Sequence, residues 1–164
     1  MDSPLIRLAS VADAAIIVHH RIEMLRDMGQ PLSSTLAEDL RVASMAALTD
    51  ALSQGTYVGW LAMEDSTHVL AGVGVHLKPQ LPRLSPDMTK VVTTPVPLVV
   101  NVYTEPYCRR RGIARALMRT LMEWAQAQGM DRVLLHASDA GRPLYTSLGF
   151  VPTNEMRWVV MDIP

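Results

Sequence analysis

The chain has 164 residues, of which 49% are hydrophobic and 19% are charged, and its formal net charge is −1. This length fits one domain with a sizeable core, and the near-zero charge excludes the general basic footprint of a nucleic-acid-binding protein. One cysteine excludes an intrachain disulfide framework and fits a reducing compartment. No apolar run reaches the ~18–20 residues of a membrane span, so the sequence predicts a soluble cytoplasmic domain.

The first predicted elements are a strand and a helix. Residues 4–9 form a short strand candidate, and Ser10 with Asp13 three residues later has the spacing of a capping box at a helix start. The residues that follow carry apolar side chains at helical spacing, and this helix should end at Gly29.

A second helix and a hairpin come next. The helix is predicted from a serine-threonine cluster at residues 33–35 to Gly55. Residues 56–64 and 68–78 then predict two strands around a short polar turn. The second of these strands contains glycines at positions 72 and 74, which suggest a bulge or a close backbone approach.

The second half of the chain predicts a long loop and further alternating elements. Residues 79–97 contain five prolines and no clear period, which is typical of a long connection. The elements after it are a strand at 98–103, a helix from Ile113, a strand at 131–137, a short helix at 140–148 and a closing strand at 156–163. The order β-α-α-β-β-β-α-β-α-β indicates an α/β (α+β) fold with a mixed central sheet of six or seven strands and helices on both faces.

The loop before the helix at Ile113 is strongly basic. Three consecutive arginines at 109–111 precede Gly112, and the helix starts directly afterwards. A helix start presents unpaired N–H groups and positive dipole charge, the glycine permits close backbone approach, and arginines add charge-assisted hydrogen bonds. A solvated surface patch is the alternative, but three adjacent like charges repel one another. The pattern therefore predicts a site for a phosphate or pyrophosphate.

Two motifs in this half of the chain carry a family resemblance. Residues 109–114 read Arg-Arg-Arg-Gly-Ile-Ala, and residues 137–150 end in Tyr-x-x-x-Gly-Phe. Both motifs resemble signatures of the GNAT superfamily of acyl-CoA-dependent N-acyltransferases. Residues 109–114 resemble its R/Q-x-x-G-x-G/A pyrophosphate loop, and residues 137–150 resemble its second signature. The strand before the loop and the element order also resemble that family. The resemblance implies the GNAT fold, with residues 1–164 as a single acetyltransferase domain.

The resemblance also implies roles for the matching residues, with acetyl-CoA as co-substrate and no metal. Main-chain groups of Val102, Tyr103 and Thr104 would bind the pantetheine arm and the acyl carbonyl, as a strand pairs with a peptide. The residues implied at the pyrophosphate are Arg109, Arg110, Arg111, Gly112, Ile113, Ala114 and Arg115, and Ser138 and Arg142 would lie along the other side of the cofactor. Tyr145 would protonate the departing thiolate. Without the motif, Tyr145 would be interpreted as a packed aromatic residue on an amphipathic helix.

The general base is left open by the sequence. Attack by an amine on a thioester needs a deprotonated amine and a proton for the thiolate. The candidates are His76, Glu23, Glu105 and a water held by Asn101, since an amide cannot itself accept a proton. Glu105 lies beside the basic loop, where an ion pair with an arginine is expected, and His76 is equally explained as a surface or core histidine.

Three further features have plain alternatives. Glu23 and Asp27 could attract an amine cation, Arg26 could bind an acceptor carboxylate, or the three could form an ordinary charged helix end. The adjacent His19 and His20 do not predict a metal site, because they point to different helix faces and lack a completing ligand. Cys108 beside the arginines could have a lowered pKa, but no base partner is visible, so direct transfer without an acyl-cysteine is expected.

The sequence therefore predicts an enzyme that moves an acetyl group from acetyl-CoA to a primary amine, of a small molecule or a protein, by direct attack. The alternative is a non-catalytic acyl-CoA-binding sensor, which the missing base favours and Tyr145 disfavours. No G-x-x-x-x-G-K-[S/T] motif occurs, which excludes a P-loop nucleotidase. Neither nucleic acid nor a membrane is expected as a partner, and the acceptor, the acyl-chain preference and a homodimer are left open.

Overall fold

In the computed structural model, which describes residues 4–160, a mixed sheet carries helices on both faces. This confirms the predicted fold class. The elements are β1 (Leu5–Leu8), α1 (Ala14–Asp27), α2 (Ser34–Ser53), β2 (Tyr57–Met63), β3 (Val69–Lys78), β4 (Arg83–Leu84), β5 (Val91–Val92), β6 (Val96–Thr104), α3 (Ile113–Ala127), β7 (Leu134–Leu135) and α4 (Arg142–Ser147). Short 3₁₀ turns at Val11–Asp13 and Pro106–Cys108 precede α1 and α3.

The central sheet has five strands in the order β1-β2-β3-β6-β7, while β4 and β5 form a separate pair inside the proline-rich connection. Neighbouring strands are antiparallel except β6 and β7, which run parallel because α3 crosses over between them. The predicted closing strand is absent over 156–160, where Trp158 is 86% exposed, and residues 161–163 lie outside the described residues. β7 offers only two residues as a pairing edge, which explains why the sheet is smaller than predicted.

Local sequence signals account for the long helices. The main-chain N–H of Ser10 donates to Asp13 Oδ2 at 2.7 Å, and the Ser33 hydroxyl accepts from the Leu36 N–H at 3.1 Å. α1 and α2 pack on one face of the sheet through a core that includes Ile17 and Leu48. α3 packs on the other face through a larger core. The two faces are called the α1 face and the α3 face below.

A β-bulge in β6 changes which residues reach each face. In the pairing with β3, Val75 lies opposite Val99 and Gly74 opposite Asn101, so Val100 has no partner. Val99 therefore belongs to the core of the α3 face, whereas Val100 packs in the core of the α1 face and the Asn101 amide contacts Tyr57 there. Two consecutive side chains thus point to the α1 face, directly before the segment at which the candidate site begins.

Candidate functional site

An open strand edge forms the first part of the site. β6 pairs with β7 only at Leu98 and Val99, and β7 ends at Leu135 while β6 continues to Thr104. Residues 101–104 therefore face no strand on that side, although β3 pairs with them on the other. Main-chain groups along such an edge can pair with an extended, peptide-like ligand. The structure thus places the segment that contains Val102, Tyr103 and Thr104 along a gap in the sheet.

The start of α3 forms the second part. Gly112 has φ +77° and precedes a helix whose first turn has no side-chain cap. The first intrahelical bond runs from the Ala116 N–H to the Gly112 carbonyl oxygen at 3.0 Å, so the N–H groups of Ile113, Ala114 and Arg115 have no partner within the helix. A Cβ atom at Gly112 would meet no atom within 4 Å, so the space beside this backbone is open. Such a helix start suits an anion.

The arginine side chains near this helix start have separate partners. Arg109 donates to the Thr104 carbonyl oxygen at 2.9 Å and to Asp27 Oδ2 at 2.5 Å, so it holds the loop against α1. Arg111 donates to the Tyr107 carbonyl oxygen at 3.2 Å, and Arg115 donates to the Ser147 hydroxyl at 2.8 Å. Within residues 4–160, the Arg110 side chain makes no hydrogen bond or ion pair, and it is exposed. Of the three consecutive arginines, Arg110 has the side chain that is free to reach an anion.

The chain after β7 forms the other wall of the gap. It turns at Ser138, whose carbonyl oxygen accepts the N–H of Arg142 at 2.9 Å, and it enters α4. The half-buried Tyr145 packs against the core of the α3 face, and its ring centroid lies 6.0 Å from that of Phe150. Among the described residues its hydroxyl has no hydrogen-bond partner, and burial raises the pKa of the phenol above its usual value. Tyr145 therefore keeps a protonated phenol whose donor is not used by any described residue.

A cluster on the α1 face was missed by sequence reasoning. Glu105 Oε1 lies 3.4 Å from His19 Nε2 and 3.6 Å from His20 Nε2, so the expected ion pair of Glu105 with an arginine is wrong. The physical reason is that Asp27 and the Thr104 carbonyl oxygen occupy Arg109 instead. His20 could have been recognised as buried from the sequence, because it lies three residues after the apolar Ile17 on the same side of α1.

His20 is the buried member of this cluster. Only 2% of the residue is exposed, and Nε2 has no hydrogen-bond partner. Its ring centroid lies 5.1 Å from that of Tyr103, and a Cβ at Gly72 would be 3.0 Å from Nδ1. Burial, with a smaller effect of His19, lowers the pKa of His20 to about 4. The imidazole is therefore neutral at pH 7.

The other candidate bases are less well placed. Asn101 is buried, its Oδ1 accepts from Arg21 at 3.2 Å, and its Nδ2 donates to the Tyr57 hydroxyl at 3.4 Å, so the amide is already occupied. His76 pairs with Leu98 and lies four residues along β3 from Gly72, roughly 13 Å at ~3.3 Å per residue. Burial lowers the pKa of His76. Because Leu98 also pairs with β7, His76 lies near the closed end of the gap.

Cys108 differs from its predicted chemistry. The thiol is fully buried and lies 3.3 Å from the Leu70 carbonyl oxygen and 3.2 Å from that of Glu105. Burial raises the pKa of the Cys108 thiol, so the lowered pKa expected from its basic neighbours is wrong. The reason is that desolvation disfavours the thiolate more than nearby arginine charge favours it. A buried thiol with a raised pKa does not act as a nucleophile.

A groove between α1 and α2 lies next to the histidine cluster. It has a volume of about 430 Å³ and is lined by His19, Val18, Ile22, Met45 and charged residues of both helices. One of those charged residues, Glu23, forms an ion pair with Arg26 at 2.5 Å. No group of three or more metal-ligating side chains occurs among residues 4–160. Because His19 both lines the groove and contacts Glu105, the groove leads towards the open end of β6.

The buried His20 predicts a pH dependence of stability. The unfolded chain binds a proton at this residue near pH 6.5, but the native protein does so only near pH 4, so acid favours unfolding within this window. We expect the free energy of unfolding to fall by about 2 kcal/mol between pH 7 and pH 5, in addition to the effects of other groups. Urea unfolding at the two pH values measures this loss.

The matched variants are His20→Leu and His68→Asn. His68 is exposed and its pKa is raised by Asp65, so its replacement should keep the loss of stability at pH 5. His20→Leu should remove most of it. An unchanged pH dependence in His20→Leu would contradict the assignment of a neutral, buried imidazole.

Comparisons with known proteins relate this geometry to a family. The model of the acetyltransferase (GNAT) family matches residues 22–150. No curated protein matches the chain by sequence. A GCN5-related N-acetyltransferase from Ralstonia eutropha JMP134 has a similar structure, with TM-score 0.82, 26% identity, and 96% of this chain and 99% of that chain covered.

Two further solved structures have the same fold. A predicted acetyltransferase with acetyl-CoA from Clostridium acetobutylicum has TM-score 0.77 and 25% identity, and 96% of this chain and 95% of that chain are covered. A ribosomal-protein-alanine N-acetyltransferase from Brucella melitensis biovar Abortus 2308 has TM-score 0.66 and 17% identity, and 96% of this chain and 98% of that chain are covered. At that identity the likeness shows the fold alone.

No helix among the described residues is long and apolar enough to cross a bilayer.

Proposed function

The chain belongs to the acetyltransferase (GNAT) family and is an acyl-CoA-dependent N-acetyltransferase, and from this premise we propose that it moves an acetyl group from acetyl-CoA to a primary amine. The observation that carries the proposal is the continuity of two sites: the open edge of β6 leads through one loop to the uncapped start of α3. Acetyl-CoA has a peptide-like arm followed by a pyrophosphate, and these two sites match that order of groups.

The proposed binding mode follows from the free groups along this path. Main-chain groups of Val102 and Tyr103 would pair with the pantetheine arm, while the Thr104 carbonyl oxygen is already used by Arg109. The N–H groups from residue 110 to residue 115 and the Arg110 side chain would hold the pyrophosphate. Arg109 would support the loop without touching the anion. Ser138 and Arg142 would line the cofactor on the other wall of the gap.

The proposed chemistry is direct attack. The nitrogen of the neutral amine forms a bond to the thioester carbon, the C–S bond breaks, and the sulfur leaves with the electron pair of that bond. Tyr145 would donate a proton to the thiolate, since its phenol is protonated at neutral pH and burial raises its pKa further. The buried Cys108 is not available for an acyl-enzyme. We place the enzyme in the cytoplasm, where a lone thiol remains reduced, with residues 1–164 acting as one domain.

An acceptor screen that follows CoA release tests this function. The panel contains polyamines, amino acids, an aminoglycoside and peptides with a free amino terminus or a lysine side chain. We expect CoA release that depends on both acetyl-CoA and one class of amine, with the acetylated product identified by mass spectrometry. If acetyl-CoA binds but no amine releases CoA, the protein is an acyl-CoA sensor and the proposal fails.

A further inference from the structure

Arg21 of α1 lies beside the end of the proposed cofactor path at which the acyl group would be held. The pyrophosphate is proposed at residues 110–115 and the arm at Val102 and Tyr103, so the thioester would lie at the opposite end of the arm, next to Asn101. Arg21 Nη1 donates to Asn101 Oδ1 at 3.2 Å, which brings a guanidinium of α1 to this point. The arginine therefore borders the place at which an acceptor amine would arrive.

The β-bulge places an apolar side chain beside this guanidinium. Because Val100 has no partner on β3, the side chains of Val100 and Asn101 both point to the α1 face. Val100 is half-buried. On the α3 face, Tyr145 packs against the core. An acceptor that approaches from the α1 face would therefore meet an apolar side chain next to a cation.

The guanidinium of Arg21 has no carboxylate partner among residues 4–160. Arg26 of the same helix forms an ion pair with Glu23 at 2.5 Å, whereas the hydrogen bond of Arg21 is to a neutral amide. Arg21 is half-buried, and a charge that is partly removed from water without an anion costs free energy. Its Nε and Nη2 donors are not used by any described residue, and this side of a guanidinium can bind a carboxylate through two hydrogen bonds.

Positive charge also acts on the neighbouring side chains. Burial lowers the pKa of His76, and the charges of Lys78 and Arg21 lower it further. Burial raises the pKa of Tyr57, while the hydrogen bond with Asn101 and the charge of Arg21 act in the opposite direction. The two charged groups that act on His76 are both cations. The surface beside the acyl end therefore favours an anionic group on the acceptor.

Negative charge lies farther along β6, on the side of the pyrophosphate loop. Burial has the largest effect on Tyr103 and raises its pKa. Three carboxylates raise this pKa further and one arginine lowers it; the carboxylates are those of Glu105, Asp27 and Glu23. Tyr103 is two residues beyond Asn101. The α1 face therefore carries positive charge beside the acyl end and negative charge beyond it, which suits an acceptor that has both a carboxylate and an amine.

Resting on the proposed function, we propose that the acceptor is an amino acid, that Arg21 binds its carboxylate, and that its amine attacks the thioester. The ammonium group first loses a proton to solvent, which nearby positive charge favours. The N–C bond then forms and the C–S bond breaks; the nitrogen loses one further proton and the sulfur gains one. The products are an N-acetylamino acid with its carboxylate unchanged and the CoA thiol. The sequence left a carboxylate-binding role open for Arg26, but Glu23 occupies that side chain.

Matched acceptors test the carboxylate. A panel of amino acids that covers all classes of side chain is compared with the corresponding carboxamides and with the amines that lack the carboxyl group. We expect kcat/KM for the best amino acid to exceed that for either counterpart at least about 100-fold, because both counterparts lose the charge-assisted hydrogen bonds to the guanidinium. Spermidine is the opposing probe, and its positive charges should make it a poor acceptor.

Arg21→Gln and Arg21→Lys test the residue. In Arg21→Gln, the preference for the amino acid over its carboxamide should fall below about fivefold, while kcat/KM for the carboxamide and the dissociation constant for acetyl-CoA keep their parent values. Arg21→Lys keeps the charge but loses the planar fork, so its preference should be intermediate. Arg119→Gln, which changes an exposed arginine of α3, is the matched control and should keep the full preference.

The outcomes separate this inference from the proposed function. If the active acceptors carry no carboxylate, or if the amino acid and its carboxamide differ less than threefold in kcat/KM, this inference alone is overturned. A loss of the preference in Arg26→Gln but not in Arg21→Gln would also overturn it, because the carboxylate would then be bound by the other arginine of α1. If the parent acetylates no amine, the proposed function fails and this inference fails with it.

Discussion

Replacing Gly112 by glutamate should reduce the affinity for acetyl-CoA by about 100- to 1000-fold. The N–H groups at the start of α3 are proposed to hold the pyrophosphate, and the new carboxylate would lie among them. Two like charges ~4 Å apart repel by about 4 kcal/mol at an effective dielectric constant of ~20, and a tenfold change in affinity corresponds to ~1.4 kcal/mol. Isothermal titration with acetyl-CoA measures the effect.

The structure separates this effect from misfolding. A Cβ at Gly112 meets no atom within 4 Å, so the substitution costs only the strain of a left-handed backbone, about 1–2 kcal/mol. Gly129→Glu is the matched control, because Gly129 has φ +70° and equally open surroundings at the other end of α3. It should carry the same strain and charge and keep the parent affinity. If Gly112→Glu binds acetyl-CoA within fivefold of the parent, the assignment of the donor site is wrong.

Tyr145→Phe should lower kcat about 10- to 100-fold and leave acetyl-CoA binding unchanged. The change removes only the hydroxyl, while the ring keeps its contact with Phe150 and its position beside Gly141. A thiolate from a thiol of pKa ~8.5 is already a fair leaving group, so the phenol supplies only part of the catalysis. Because burial raises the pKa of Tyr145 above its usual value, ionisation of the phenol should cause no loss of kcat at neutral or mildly alkaline pH.

Steady-state kinetics of Tyr145→Phe against Tyr107→Phe give the comparison. Tyr107 is exposed in the loop before α3, so its hydroxyl should be dispensable. A kcat for Tyr145→Phe within twofold of the parent would remove the proton-donor role. If acetyl-CoA binding is lost as well, the hydroxyl contributes to donor binding instead of to the chemical step.

The two long helices on the α1 face and the hairpin could be predicted from the sequence because their signals are local. Asp13 completes a capping box with Ser10 in the turn that leads into α1, and Ser33 caps α2. Gly29 and Gly55 follow the helix ends in a left-handed conformation. The short elements near the carboxyl terminus were less predictable. An apolar run such as residues 156–160 has strand composition, but a strand also needs a partner edge, which the sequence does not show.

The acetyl-CoA half of the candidate site could also be predicted from local signals. Its residues are contiguous in the chain, so one strand, one loop and one helix start could be predicted together from residues 98–115. The sequence could not show which arginine side chain is free of a protein partner. The partners of Arg109 and Arg115 come from α1 and α4, 82 and 32 residues away, and only the packed structure brings them together.

The sequence by itself determined the family, the element order and the position of the pyrophosphate loop, because capping, periodicity and turn chemistry act over a few residues. Tertiary structure decided the side-chain partners. The bulge at Val100 turns two neighbouring side chains of β6 to the α1 face, and the packing of α1 on that face places His20 beside Glu105. These contacts depend on which faces meet after folding, so no local pattern could reveal them.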